Sequence, residues 1–464
     1  MTRLVRVAFA GLFSAGIAGC AADSEDFPYA TRAERPFRKQ EPQPVRMQEP
    51  QSEIVQSGFQ VPLPAAPAIP AGLVTVDELV ATALNRNPRL SKASFAIDSA
   101  QGKYVQAGLY PNPDLAANWD EIGDRTGAGG ILNVPRFTQE IVTARKLSLS
   151  QAVAATEVNR ATLDLLAERY AVIGGVRSAF YELYALENRV ANLDELAKLS
   201  AESVKLGKSL LENLKIAKLD LVQLEVEQAK YQTEADAARQ EVPALRRKLA
   251  AAIGDPRLTI GSIAGPFHEV PHYDPGPAME AVLASHPNIR MAKVGIEKAQ
   301  AALRRAEVEP IPNVTFTTGY IRQYENKSHD YSFGFSAPIP AWNRNQGNIR
   351  SAKAELGVAI QTVGNVENEL ADKVATAFRT YSAAMKRADL YRRTIIPKSE
   401  ETFQLSLDAF KGGQFEYLRV IAAQRAIAEA RLEYNRSLGE AWRAAAELSA
   451  LQLEEVWPGK TPGP

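Results

Sequence analysis

The chain has 464 residues, of which 45% are hydrophobic, and its 54 basic and 54 acidic side chains give a formal net charge of zero. A chain of this length can bury a large core, and the balanced charge argues against a nucleic-acid partner. The single cysteine, Cys20, excludes a disulfide framework and any cysteine-rich metal site.

The N-terminus has the pattern of a secretory signal. Arg3 and Arg6 precede an apolar run over residues 7–18, which is shorter than the roughly 20 residues that a membrane-spanning helix needs. The run closes on the letters Ile-Ala-Gly-Cys at Cys20, which resemble the lipobox of bacterial lipoproteins. We predict a lipoprotein signal peptide over residues 1–20 and lipidation of Cys20. The alternative is an ordinary signal peptide cut nearby, with an incidental cysteine.

Residues 21–72 contain nine prolines between Pro28 and Pro70 and few apolar clusters. Such a segment cannot pack a core, so we predict an extended N-terminal tether. N-cap chemistry at Thr75 then starts a short predicted helix that runs to about Asn87. Pro88 interrupts it, and a second helix is predicted to end near Leu109.

The chain contains an internal duplication. A set of proline and Ala-Gln landmarks recurs with a constant displacement of 199 positions: Pro88, Ala100-Gln101, Pro111 and Pro113 return as Pro287, Ala299-Gln300, Pro310 and Pro312. A constant offset of this kind indicates repeated structural units. We therefore predict a first repeat over residues 73–265, a second over residues 266–457, and a short tail over 458–464.

Each repeat is predicted to carry a β-hairpin. Residues 313–340 alternate between apolar and small or polar side chains on both sides of a polar turn, and residues 114–141 occupy the corresponding place in the first repeat, with a bulge or edge position at Pro135. The pattern is typical of a membrane barrel hairpin, although a soluble sandwich hairpin has the same pattern. The residues predicted to face lipid are Trp119, Phe316, Tyr320, Phe333 and Phe335.

Each hairpin is followed by a predicted pair of long antiparallel helices. Apolar residues at spacings of three, four and seven predict two pairs of long helices. The first pair covers residues 144–254, with a tip at 215–218 and a cap at Asp220, and the second covers residues 344–455, with a break or a kink at Pro397. A helix from 144 to 214 would be roughly 100 Å long, which is far more than one globular core needs.

These elements define the predicted fold class, which is mainly α with a membrane β portion of four strands. Four strands cannot close a barrel, and an open sheet edge is not tolerated in lipid. Several copies of the chain must therefore share one barrel. Counting strands leaves two, three or four subunits open.

The order of these elements carries a family resemblance. Together with the stretches 338–349 (Pro-Ile-Pro-Ala-Trp-Asn-Arg-Asn-Gln-Gly-Asn-Ile) and 409–413 (Ala-Phe-Lys-Gly-Gly), it resembles the outer-membrane efflux protein family typified by TolC. The resemblance covers residues 73–457. It implies a TolC-like protomer, a homotrimer with a twelve-stranded barrel in the outer membrane and a helical tunnel in the periplasm. It also implies partners at the helical tips, a periplasmic adaptor (membrane fusion) protein and an inner-membrane RND pump.

The turn Arg344, Asn345, Gln346 and Gly347 is similar to that of the heavy-metal branch of the family, which serves pumps for cobalt, zinc, cadmium, nickel, copper or silver. A strand-to-helix turn favours such residues whatever passes through the pore, so drugs or organic solvents are the alternative cargo. A soluble periplasmic coiled-coil scaffold is a third hypothesis.

The helical tips are the predicted docking sites. The candidates are Lys215, Ile216, Ala217, Lys218, Lys411, Gly412, Gly413 and Gln414. Family relatives often gate the lumen with aspartates just beyond the second tip, but this chain has Arg419 and Ala422 there. Glu416, Tyr417 and Arg419 are the candidates for a different periplasmic gate.

No catalytic site, metal site or cofactor is predicted. His268 and His272 are four residues apart, but Pro266 and Pro271 exclude a helix that would bring both rings to one face. The sequence has no phosphate-binding glycine motif and no nucleophile elbow, so we predict that the chain is not an enzyme.

Replacing Cys20 with serine should abolish acylation, because serine lacks the thiol that carries the lipid. Metabolic labelling with a radioactive fatty acid measures this directly. Incorporation of the same label into the Cys20→Ser variant would show that the lipobox assignment is wrong.

Overall fold

The computed structural model describes residues 73–122, 130–411 and 417–457. Cys20, the tether over 21–72, the centre of the first hairpin loop, the second tip over 412–416 and the tail over 458–464 lie outside the described residues. Among the described helices, none combines the length and the apolar character needed to cross a lipid bilayer.

The described elements repeat in the same order. The first half contains α1 (Val76–Arg86), α2 (Pro88–Gly108), β1 (Asp114–Asp120), β2 (Ile131–Ile141), α3 (Lys146–Glu212) and α4 (Lys218–Ile253). The second half contains α5 (Pro275–Ser285), α6 (Pro287–Val308), β3 (Val314–Gln323), β4 (His329–Ser336), α7 (Gln346–Leu390), a π-helical turn (Tyr391–Ile395), α8 (Ile396–Lys411) and α9 (Tyr417–Leu451). The predicted fold class, mainly helical with a small antiparallel sheet, is confirmed.

The duplication extends to individual helix N-caps. Asn87 precedes Pro88 and accepts a hydrogen bond from Arg89 N at 3.0 Å. His286 precedes Pro287 and accepts one from Asn288 N at 3.2 Å through Nδ1. Both residues satisfy an N–H group at the start of the second helix of their repeat, where proline at N1 needs no partner.

The first helical hairpin is formed by α3 and α4. Its turn begins after Glu212, and Asp220, at the third position of α4, accepts a hydrogen bond from Ala217 N at 2.9 Å. The cap predicted at Asp220 therefore acts from inside the first turn of the helix. Gly254 ends α4 with φ of +100°, a conformation that favours glycine.

Pro397 does not end the second long helix. The helix widens instead into the π-helical turn Tyr391–Ile395 and continues as α8. Proline cannot donate to the carbonyl four residues earlier and collides with it in a regular α-helix. A π-turn directly before Pro397 relieves that conflict, so the predicted break is a local change of helix type.

The four strands form one antiparallel sheet in the order β1-β2-β3-β4. The two hairpins therefore lie side by side, joined by β2 and β3, as the fold prediction requires. A register shift between Asn133 and Arg136 marks a bulge at Pro135, which lies in an interior strand. The strand predicted to reach residue 340 ends at Ser336, because Pro338 and Pro340 cannot donate ladder hydrogen bonds.

The main buried core lies where α1, α3, α4, α9 and the connector before α5 meet. Tyr181 stacks on Trp442 with ring centroids 3.6 Å apart, and Trp457 packs edge-on against both rings. Gly174 lets α3 approach α9 closely, since a Cβ there would lie 2.5 Å from Ala450 Cβ. The long helices are therefore tied together near their middle.

A buried arginine organises the end of the chain within this core. Arg177 is 1% exposed, and its guanidinium donates to Ser449 Oγ at 3.1 Å and to the carbonyl oxygens of Glu454 and Glu455. The guanidinium also lies 4.4 Å from the centroid of the Trp457 ring. Burial lowers the pKa of Arg177 from its usual range, and these acceptors offset part of the cost of desolvating the charge.

Replacing Arg177 with methionine should destabilise the helical region by about 3 kcal/mol or more, because the Ser449 hydroxyl and two carbonyls lose their charged donor. Chemical denaturation followed by circular dichroism measures this loss. The control is Arg169→Met on the same helix: Arg169 pairs with Glu455 at 3.0 Å, and both side chains are about half exposed. Its loss should cost less than about 1 kcal/mol. An equal loss of unfolding free energy in the two variants would contradict the prediction that the buried contacts of Arg177 contribute more than the exposed ion pair of Arg169.

Candidate functional site

One face of the sheet is apolar and exposed. The register places Leu115, Phe137, Thr318 and Phe333 in one row across the four strands, and Phe316 pairs with Phe335 in the next. Alternation along the strands puts all five residues predicted to face lipid on this face. Phe333 is 72% exposed, Phe335 73% and Trp119 55%, so the chain's own helices leave these rings uncovered.

The opposite face is small and polar. Its rows include Ala116, Arg136, Gly319 and Ser332 in one, and Asp114, Thr138, Thr317 and Gly334 in another. The sheet therefore has one polar face and one apolar face. In an isolated protomer the apolar face is exposed to solvent. A soluble sandwich would cover its apolar face, and no described element does so.

The sheet has two open edges. In the part of the chain that the structure describes, β1 pairs only with β2, and β4 only with β3. The backbone N–H and C=O groups along both outer edges are thus available to strands of other chains.

The turn at Arg344–Gly347 joins the sheet to α7. Asn345 has φ of +59°, a left-handed conformation that asparagine tolerates well. Its side chain donates to Ala306 O at 2.9 Å, and Gln346 Oε1 accepts from Arg344 N at 2.8 Å. Turn geometry therefore explains Asn345 and Gln346 at these positions. Arg145 has the same conformation at the start of α3.

A buried polar junction connects the two repeats at the base of the sheet. Asn313 Oδ1 accepts from Lys146 Nζ at 3.1 Å and from Thr143 N at 3.2 Å, and Asn313 Nδ2 donates to Glu140. Lys146 is only 4% exposed. The sequence analysis missed this junction, because its residues lie about 170 positions apart and form no local motif.

The first helical tip, residues 215–218, has exposed lysines next to a small cluster of apolar side chains. Lys215, Ala217 and Lys218 are exposed, whereas Ile216 packs against a cluster that includes Val204, Leu224 and Tyr417. The second tip is described only to Lys411, where α8 ends. Gly412, Gly413 and Gln414 lie outside the described residues, so their juxtaposition with the first tip stays a prediction.

The candidate gate residues occupy different environments. Tyr417 is 8% exposed and packs against Phe410 with ring centroids 5.2 Å apart, and burial raises the pKa of its phenol. In this conformation the Tyr417 ring supports the tip cluster and does not line an open surface. Arg419 is exposed, and Glu416 lies outside the described residues, so a gate at these positions stays a prediction.

No group of three or more histidine, cysteine, aspartate or glutamate side chains in the described ranges could hold a metal ion. The four histidines have other contacts: His268 stacks on Tyr434, His272 lies near Asp274, His286 caps α6, and His329 contacts Tyr320.

Comparison with known proteins identifies the architecture. Residues 278–452 match the family described as "Outer membrane efflux protein". The second half of this chain is therefore similar to the outer membrane efflux proteins. Proteins of this family are channels and not enzymes.

The similarity extends over most of the chain. The cobalt-zinc-cadmium resistance protein CzcC of Cupriavidus metallidurans is 24% identical over 84% of this chain and 92% of its own length. The outer membrane efflux protein BepC of Brucella suis is 22% identical over 73% of each chain. The outer membrane protein VceC of Vibrio cholerae has the same fold, with a TM-score of 0.68 and 19% identity over 81% of this chain and 96% of VceC.

Replacing Phe333 or Phe335 with aspartate should impair assembly, because a carboxylate on a lipid-exposed face costs roughly 2 kcal/mol near mid-bilayer. The measurement is the yield of heat-modifiable oligomer in the outer-membrane fraction. Ser332→Asp, next to Phe333 on the polar face, is the matched control and should assemble normally. Normal assembly of both phenylalanine variants would refute the assignment of this face to lipid.

Proposed function

We propose that the chain is the outer-membrane channel component of a tripartite, RND-type efflux system, and that it conducts heavy-metal cations from the periplasm or the pump to the cell exterior. The observation that carries the proposal is the open four-stranded sheet with an exposed aromatic face. A sheet of this kind is stable in lipid only when copies of the chain close it into a barrel.

Three copies would supply twelve strands, with the aromatic face outward and the polar face toward a water-filled lumen. The α3–α4 pair and the pair formed by α7, α8 and α9 would extend the barrel wall into the periplasm. The 67 residues of α3 correspond to about 100 Å, the scale of a periplasmic conduit. Lipidation at Cys20 and the tether over 21–72 would anchor the N-terminus to the same membrane.

The tips would dock the periplasmic adaptor. The exposed lysines of the first tip, on a base of packed apolar side chains, suit a partner with carboxylates and short apolar contacts. The inner-membrane pump would then deliver cargo into the lumen. The adaptor and the pump would therefore both lie at the tip end of the long helices.

Heavy-metal cargo is favoured by the similarity to CzcC, a cobalt-zinc-cadmium resistance protein, over 84% of this chain. The cations would pass without protein ligands, because the described residues contain no metal-binding cluster. The alternative is drug or organic-solvent efflux, since Asn345 and its neighbours are explained by turn geometry. A soluble scaffold is disfavoured by the match of residues 278–452 to outer membrane efflux proteins and by the exposed phenylalanines.

Deletion of the gene in its host should increase sensitivity to cobalt, zinc or cadmium salts, and the wild-type gene should restore resistance. The measurement is growth inhibition by each metal, with a panel of drugs and solvents tested in parallel. Sensitivity to drugs or solvents alone would contradict the metal proposal and favour the alternative.

A Lys215→Glu/Lys218→Glu double variant tests the docking tip in the same strain. It should assemble in the outer membrane and fail to restore resistance, because its first tip then repels acidic partner groups. Lys353→Glu, an exposed lysine of α7 far from the tip in sequence, is the control and should restore resistance. Full resistance with the double variant would exclude these lysines from docking.

A further inference from the structure

The helical region contains a cavity, lined by Leu196 and Phe403 among others, that has no role in the proposed channel or in the proposed docking tips. It has a volume of about 480 Å³ and lies between α3, α8 and α9. We call it the α3–α8 cavity. Its apolar lining comes from Leu196 and Leu199 of α3, Phe403 of α8, and Ile427 and Ala428 of α9. This volume lies in the range of roughly 300–1,000 Å³ that is usual for small-molecule sites.

A second, much smaller cleft adjoins the α3–α8 cavity. The cleft between α3, α4 and α9 shares Leu196, Gln424 and Ala428 with the α3–α8 cavity, but Tyr231 and Arg425 fill it and leave about 20 Å³. The cleft beside Tyr231 is therefore nearly closed, whereas another cleft between α3, α4 and α9 has a volume of about 650 Å³.

The charges around the α3–α8 cavity are unequal. Among the described residues that line the cavity, Glu195 of α3 and Glu400 and Glu401 of α8 contribute three carboxylates, and Arg431 of α9 contributes the one cation. Arg431 lies 3.0 Å from Glu400 and 3.7 Å from Glu195, so it bridges α3 and α8 at the rim. One guanidinium cannot balance three carboxylates, and the cavity retains a negative excess beside its apolar wall.

We propose that the α3–α8 cavity binds a small amphipathic organic cation. The hydrophobic part of such a molecule would cover Leu199, Phe403 and Ile427, and its positive charge would lie near Glu400 and Glu401. A metal ion lacks the apolar body that this wall needs, and an anion would face the excess of carboxylates. The ligand would contact α3 from the first repeat and α8 and α9 from the second, and would hold the two repeats at a defined spacing.

The probe is tetraphenylphosphonium, a permanent organic cation, and the matched control ligand is tetraphenylborate, which has a similar shape and the opposite charge. Gln404 lines the cavity and is exposed, so a Gln404→Cys variant of the full chain reports occupancy through its labelling rate with neutral N-ethylmaleimide. Peptide mass spectrometry separates position 404 from Cys20. Leu199→Cys provides a second reporter on the α3 wall, and Glu297→Cys on α6 is the control outside the cavity.

Tetraphenylphosphonium should slow labelling at positions 404 and 199 several-fold and leave position 297 unchanged, and tetraphenylborate should protect neither cavity position. Adding Glu401→Gln should raise the half-protecting concentration roughly two- to five-fold. Without ligand, each cysteine should be labelled at the same rate whether or not Glu401→Gln is present, which shows that the substitution leaves the fold intact. Absent protection at both cavity positions, equal protection by both ions, or an unchanged midpoint with Glu401→Gln would overturn the proposal. These measurements do not involve transport, so their failure would leave the channel proposal intact.

Discussion

The unpaired outer edges of β1 and β4 are the constraint on which the rest of the molecule depends. A backbone group without a partner in hydrocarbon costs several kcal/mol, so a four-stranded sheet is acceptable in lipid only as part of a closed barrel. The distribution of side chains follows from this requirement. Aromatic residues such as Phe333 and Phe335 occupy one face, which a closed barrel would turn to lipid. Small polar residues such as Ser332 occupy the other face, which it would turn to water.

The helices depend on the sheet through two kinds of contact. Left-handed residues, Arg145 and Asn345, set the direction of α3 and α7 where each leaves the sheet, and the Asn313–Lys146 contact joins the two exits. Farther along, the core around Trp442 and Arg177 ties α3 to α9 and to the chain end. A buried guanidinium is an expensive way to make this connection, but its three acceptors specify one position for the C-terminal segment.

The two repeats are equivalent in order and different in detail. Asn87 and His286 both cap the second helix of their repeat, yet among the described residues the π-helical turn occurs in the second repeat alone, before Pro397. Beyond this turn, α8 lines the α3–α8 cavity, and Tyr231 of α4 lines a neighbouring cleft of only about 20 Å³. The two repeats thus share the order of their helices and strands and differ in local helix type.

The sequence by itself determined the elements whose causes are local: the hairpin alternation, the helix starts at Pro88 and Pro287, the end of α4 at Gly254, and the 199-residue repeat. Only the tertiary structure decided what depends on residues far apart in the chain. The pairing of β2 with β3, the burial of Arg177 and Tyr417, and the α3–α8 cavity each bring together segments from both repeats. No local pattern specifies such contacts, because they arise from long-range packing and from the free energy of burying groups together.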